Sequence, residues 1–245
     1  PNGGPFAIEG PANVSFSGGR TSGYMLRRIL DSHGGTLPPD THVLFANTGK
    51  ERNETLDFVH EVETRWNVPI RWIERHEDGS MVEVDYASAN RIGAPFRALI
   101  AERNFLPNPV MRFCTTELKI RQMQAFMQKI HGHDTWTSVI GLRADEPRRV
   151  ANQRAREDSG KDPWSVAFPL FDAGVTKADV DAFWKGQPFD LRLQPWEGNC
   201  DLCFLKGRAK RERIMRDRPD LVAGWAEAEA EAEARGAKAS AATFR

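Results

Sequence analysis

The run Val14-Ser15-Phe16-Ser17-Gly18-Gly19-Arg20-Thr21-Ser22 leaves few folds open to this chain. A β-leaning stretch passes into a Ser/Gly turn and then into a helix, the opening unit of an α/β sheet. Adjacent glycines let the backbone turn tightly, and successive N–H groups at a helix N-terminus attract an anion. The spacing is not that of the common NTPase loop, Gly-x-x-x-x-Gly-Lys-Ser/Thr, because here the glycines adjoin and no lysine follows. The bland alternative is a Ser/Gly turn that binds nothing.

Downstream, β-branched and aromatic runs alternate with helical periodicity. Strands are expected over 13–16, 41–46, 70–73 and 136–141, and helices over 23–30, 51–66, 95–102 and 115–130. Leu56, Val59 and Val62 share one helical face, as do Leu118, Met123, Phe126, Met127 and Ile130. This order predicts an α/β fold with a doubly wound, mostly parallel sheet, its strand ends at Ser17, Asn47 and Gly141 gathered on the ligand-binding edge. Two domains are expected: a nucleotide-binding α/β domain over residues 1–156, and a small helical, cysteine-containing subdomain over 157–245. In the second, 157–163 reads as a mobile polar loop and 166–170 as extended, and Thr176 with Asp179 reads as a capping-box start. Helices are expected over 205–216 and 219–235, the latter solvated for want of an apolar stripe, followed by a frayed tail over 236–245.

The 245 residues suffice for one substantial core. Thirty-four basic residues balance 34 acidic ones, so no overall charge draws the chain to nucleic acid, although Arg143, Arg148, Arg149, Arg154 and Arg156 crowd one stretch. No apolar run reaches the roughly 20 residues that span a bilayer, and no signal-peptide core opens the chain. A cytoplasmic protein without a membrane partner is therefore expected. The three cysteines, Cys114 and Cys200-x-x-Cys203, cannot all pair within one chain, and their spacing suggests metal or redox use in a reducing compartment.

The Ser17–Ser22 loop resembles the Ser-Gly-Gly-Lys-Asp-Ser pyrophosphate loop (PP-loop) of the adenine nucleotide α-hydrolase superfamily, with Arg20 for lysine and Thr21 for aspartate. Arginine keeps the charge and adds a forked donor. Thr21 lacks the carboxylate, which leaves Mg²⁺ positioning at the loop open. Three further segments resemble one branch, the phosphoadenosine phosphosulfate (PAPS) reductase family. Phe45-Ala46-Asn47-Thr48-Gly49-Lys50 with Glu54-Thr55 is similar to its Asp-Thr-Gly…Glu-Thr element, Asn47 replacing the aspartate. The segment from Arg112 to Lys119 is similar to the one that carries a cysteine and a base into a helix. Gly141-Leu142-Arg143-Ala144-Asp145-Glu146-Pro147-Arg148 is similar to its Gly-x-Arg-x-Asp/Glu…Arg element.

The resemblance implies that ATP or a related adenine nucleotide is held by Ser17, Gly18, Gly19, Arg20, Thr21, Ser22, Asn47, Thr48, Gly49, Arg143 and Arg148, with Mg²⁺ as an optional companion. Arg20, Lys119, Arg143 and Asp145 are the candidate catalytic residues. The arginines suit phosphate or sulfate oxygens, Lys119 suits a thiolate, and Asp145 suits either orienting an arginine or binding Mg²⁺. Lys50 and Glu51 are weaker candidates.

Cys114, Cys200 and Cys203 are the candidate metal ligands. Iron–sulfur branches of the family pair a double cysteine with the late CxxC. Here Phe113 and Thr115 flank Cys114, so one iron of a 4Fe–4S cluster would lack a protein thiolate. An open iron suits sulfur transfer and resembles the cluster-dependent tRNA thiolases of the superfamily. Zinc is the alternative, with His131, His133 or water as fourth ligand, although His131-Gly132-His133 reads more simply as a turn. A redox pair or ordinary buried cysteines is the third option. His33, His42, His60 and His76 are placed in no site.

The leading function is an ATP-dependent sulfurtransferase that adenylates an acceptor, such as a nucleobase, and then installs sulfur. The alternatives are an adenylyl-sulfate or PAPS reductase that uses a thiol and releases sulfite, and a non-catalytic nucleotide sensor. A sulfur donor or thiol reductant is thus an expected partner, and a nucleic acid acceptor and a homodimer are left open.

Overall fold

A computed structural model describes residues 3–236, so the expected frayed tail lies, apart from Gly236, outside the described residues. In chain order the elements begin β1 (Ala12–Ser15), α1 (Arg20–Ser32), β2 (Thr41–Ala46), α2 (Asn53–Arg65), β3 (Ile70–Arg75), β4 (Met81–Val84) and α3 (Ala94–Arg103). Next come α4 (Phe113–Thr115) and α5 (Arg121–Ala125), each continued by a π-helical turn, Thr116–Ile120 and Phe126–Ile130. The rest are β5 (Trp136–Ile140), α6 (Pro147–Asp158), β6 (Trp164–Ala167), α7 (Pro169–Asp172), α8 (Lys177–Lys185), α9 (Arg208–Asp217) and α10 (Asp220–Ala234).

The strands form a six-stranded sheet in the order β4-β3-β2-β1-β5-β6. β1 pairs in parallel with β2 and β5, and β5 with β6, whereas β4 runs antiparallel to β3. This is the mostly parallel α/β sheet expected from sequence. Val14 lies opposite both Val43 and Val139, and all three are fully buried. Such rows explain why the parallel strands read as apolar runs and not as alternating ones. The chain leaves β1 for β2 on one side and returns to β5 on the other, so β1 and β5 flank a topological switch point, where folds of this type bind ligands.

Two compact units divide the chain: Pro1–Phe45 with Glu54–Arg71 and Met123–Arg192, and Ala46–Asn53 with Trp72–Gln122 and Leu193–Arg245. They interleave along the sequence, whereas sequence analysis expected a single cut after residue 156. In the first unit Gly23 of α1 lets α8 approach: a Cβ there would lie 2.7 Å from Trp184, whose indole N–H donates to the Arg20 carbonyl at 2.8 Å. The expected cap at Thr176 is present, its N–H and hydroxyl both bonding to Asp179.

Helix α6 forms where the sequence shows only crowded arginines, because Val150 is its one buried residue and no apolar stripe marks it. Two expectations need correction. The loop expected over 157–163 begins inside α6, and Asp162 is paired with Arg156. Helix α10, expected to be solvated, buries Trp225, Ala228 and Ala232 along a narrow face in the core of the second unit.

Candidate functional site

In the first unit, β1 delivers the Ser/Gly turn and α1 begins at Arg20. Gly18 has φ +71°, and a Cβ there would lie 2.7 Å from Thr55, 3.0 Å from Val59 and 3.1 Å from Phe45. Only glycine fits both the left-handed backbone and the space. The Ser22 hydroxyl accepts the N–H groups of Ser17 (3.2 Å) and Gly19 (3.3 Å) and lies 3.0 Å from the Ser17 hydroxyl. Ser22 therefore clasps the turn from inside the first turn of α1, whose backbone N–H groups lack intrahelical partners and suit an anion.

The loop after β5 reaches this turn. Arg143 donates from Nη1 to the Thr21 hydroxyl at 3.1 Å and from Nε to Asp145 at 2.8 Å, and Glu146 also accepts from it. Against a burial penalty, the Arg143 hydrogen bond and charge hold the Asp145 carboxyl below its ordinary value. Asp145 thus contacts Arg143; orienting an arginine is one of the two roles sequence analysis leaves open for it. Arg20 behaves differently: it forks onto Asp190 at 2.7 and 2.8 Å and donates to the Leu191 carbonyl at 2.6 Å. Arg148 is exposed on α6.

The second unit holds the remaining candidates. Asn47 is fully buried; its amide donates to Glu74 (2.6 Å) and the Asn90 carbonyl (2.9 Å), and its oxygen accepts the Gly49 N–H (3.0 Å). The aspartate replacement therefore works as an internal turn brace here, next to a Glu74 carboxyl that burial raises. Gly49, at φ +75°, leaves room for the Asn90 amide, 2.7 Å from where a Cβ would stand. The N–H and hydroxyl of Thr48 both bond to Glu51 at 2.7 Å.

Glu51, ranked low from sequence, is the hub. Its side chain is completely buried, accepts from Lys119 Nζ at 3.0 Å, and lies 3.6 Å from the Cys200 thiol. Burial pulls the two charges toward neutrality, but each holds the other ionised: Glu51 stays below its ordinary value, aided by Thr48, and Lys119 is raised above its own. Backbone pairing of Glu51 with Cys200, of Arg52 N–H with Asn199 and of Asp201 N–H with Lys50 ties this segment to the CxxC turn. A buried Arg52–Glu197 pair at 2.7 Å reinforces it. Its bonds with Thr48 are local, but the partners that make it the hub, Lys119 and Cys200, lie 68 and 149 positions away.

All three cysteines are free and half-buried, and Cys114 packs on the apolar cluster that contains Leu118, Leu202 and Phe204. Burial, with Cys203 nearby, pushes the Cys114 thiol up; burial and Glu51 push Cys200 well up. Among the described residues, the donors gathered within 4.8 Å are His42, His131 and His133, not the thiols. The histidines considered for a zinc–thiolate site thus group with His42, which sequence analysis had left out. No described helix is long and apolar enough to cross a membrane.

The model of the phosphoadenosine phosphosulfate reductase domain matches residues 11–187. The chain belongs to this family. The matched family segment takes in the glycine turn, Asn47, Cys114 and Arg143 but ends before Cys200 and Cys203. A relative, the uncharacterized nin region protein ORF290 of Escherichia phage lambda, is 29% identical over 217 residues, covering 85% of this chain and 70% of its own. Among solved structures, the U34-tRNA thiolase NcsA from Methanococcus maripaludis, with its 4Fe–4S cluster, is similar with a TM-score of 0.47 at 12% identity, covering 87% of this chain and 68% of its own.

Proposed function

We propose that this member of the PAPS reductase family is an ATP-dependent sulfurtransferase. The observation that carries the reading is the thiol site: a buried Glu51, paired with the partly exposed Lys119, beside Cys200. If all three thiols are ligands, none of the three is left to serve as the nucleophile a thiol-dependent reductase needs.

The donor set fits an iron–sulfur cluster, since soft thiolates select such groups. A 4Fe–4S cluster held by Cys114, Cys200 and Cys203 would supply an iron without a protein thiolate, open to inorganic sulfur. Lys119 places a cation beside the thiolates, and Glu51 keeps it charged. At the glycine turn, the first-turn N–H groups of α1 hold the β- and γ-phosphates, and Arg143, steered by Asp145, neutralises them. The acceptor oxygen attacks the α-phosphorus, the bond to pyrophosphate breaks, and a sulfur nucleophile then displaces AMP. Arg20 joins the phosphate site when it leaves Asp190.

Arg143→Ala is expected to weaken ATP binding at least tenfold, because a charge-assisted hydrogen bond contributes about 1.5–3 kcal/mol; isothermal titration measures it. Anaerobically purified protein is expected to carry close to four irons and four sulfides. Replacement of any one of Cys114, Cys200 or Cys203 by serine should remove most of both, as iron and sulfide analysis will show. One zinc and no sulfide would refute the cluster. The overall test is conversion of ATP to AMP and pyrophosphate with sulfide and a nucleic acid acceptor. The family match favours one second reading: sulfite released from PAPS or adenylyl sulfate by a thiol reductant would replace our proposal with it.

A further inference from the structure

We propose that His42, His131 and His133 form a binding site for a transition-metal dication, distinct in its ligands from the cysteine set. One ring nitrogen from each histidine lies within 4.8 Å of the other two. His42 stands on β2 opposite Asn13 of β1, so a strand inside the sheet fixes its backbone. His131 and His133 stand on the turn that joins the long helical run to β5. That turn is pinned by N–H bonds from His131 to Phe126, from Gly132 to Gln128 and from His133 to Met127, and Gly132 takes φ +68°. Both arms of the cluster are therefore rigid, which a preformed metal site requires.

A second observation points to a ligand. Nε2 of His42 and Nε2 of His133 are shielded from solvent and have no hydrogen-bond partner. A buried polar atom without a partner is destabilising, and native proteins rarely leave two side by side. The rings do not bond to one another either: His42 and His131 are tilted at a centroid distance of 3.9 Å, and His131 and His133 are nearly parallel at 6.2 Å. Phe126 closes one side, 5.5 Å from His42 and 4.8 Å from His131. A cation bound within the cluster would offer these imidazoles the partner they lack. The charged groups acting on His42 are Arg71 and Asp40, besides the two histidines.

The donor set indicates the class of ion. Three neutral imidazoles without thiolate or carboxylate suit Zn²⁺, Cu²⁺, Ni²⁺ or Co²⁺ and not Mg²⁺ or Ca²⁺, which require oxygen ligands. Zn–N bonds of about 2.0–2.1 Å bring tetrahedral nitrogens to about 3.4 Å, a contraction that side-chain rotation supplies. The bound ion would tie the turn before β5 to β2.

Titration of the chelator-treated full chain with Zn²⁺, followed by calorimetry, and with Co²⁺, followed by visible absorption, tests the site. The expected result includes one equivalent of Co²⁺ whose spectrum lacks thiolate charge-transfer bands and persists in the Cys114→Ser/Cys200→Ser/Cys203→Ser variant. In the otherwise unchanged chain, His42→Ala and His133→Gln should each weaken that equivalent at least tenfold, with circular dichroism unchanged. His133→Gln carries the test by itself if His42→Ala fails to fold. Undiminished binding in the histidine variants, or Co²⁺ bound only with thiolate bands, would overturn the proposal.

Discussion

Lys119→Met is expected to lower the unfolding free energy by about 3–5 kcal/mol, the usual effect of removing one partner from a buried ion pair. Glu51 is the reason. Its carboxylate is wholly buried, and Thr48 supplies hydrogen bonds but no charge, so loss of the lysine strands an anion beside the Cys200 thiol. Glu51→Gln should have the milder effect, since Lys119 retains partial access to water with 29% of its side chain exposed. The double variant Glu51→Gln/Lys119→Met should recover most of the loss, because no buried charge remains. Urea melts of the four proteins measure the coupling. A Lys119→Met midpoint equal to wild type would refute the account.

The pH dependence has a definite sign. Glu51 is depressed in the folded chain, so its contribution is present above its unfolded value of 4.5 and is lost as pH falls through the lower folded value. In Lys119→Met, burial is opposed only by the two Thr48 hydrogen bonds, and the folded carboxyl rises. That variant should then regain stability relative to neutral pH as acid protonates Glu51, opposite to wild type. Between pH 7 and 5 Glu51 leaves the wild-type urea midpoint flat, since its loss begins only below 4.5, whereas the Lys119→Met midpoint should rise as pH falls.

Gly18→Ala is expected to lower stability by about 2–5 kcal/mol and to abolish ATP binding. A left-handed backbone at a residue with a Cβ costs about 1–2 kcal/mol, and forcing a methyl into a filled space costs about 1–3 kcal/mol more. The new methyl would meet Thr55, Val59 and Phe45, so relief moves the turn that presents the N–H groups of α1. Gly34→Ala is the control: Gly34 also has a positive φ, of +66°, but nothing within 4 Å of its Cβ position. It should show the backbone cost alone and leave ATP binding intact. Thermal melts with and without ATP measure both effects. Equal behaviour of the two variants would sink the steric argument.

Much of the fold was legible because its signals are local. The Thr41–Ala46 run reads as a buried parallel strand from six consecutive residues, and Ser17–Ser22 announces a strand-to-helix turn within one helical turn of sequence. Strand β4 escaped notice because Met81–Val84 is four half-exposed or exposed residues whose only cue is the antiparallel partner β3. In the site, Arg143 and Asp145 could be paired on paper because they are neighbours, and the structure joins them.

The amino-acid sequence by itself determined the element order, the mostly parallel sheet, the glycine turn at its switch point and the family. All of these rest on patterns a few residues long, read by steric and hydrophobic rules that act within one element. Only the tertiary structure decided which side chains meet. Arg20 turns to Asp190, 170 positions away, Asn47 turns inward to Glu74, Glu51 joins Lys119 and Cys200, and His42 joins His131 and His133. The reason is physical: a buried charge or imidazole must find a partner inside the fold, and packing of distant segments sets which partner is within reach.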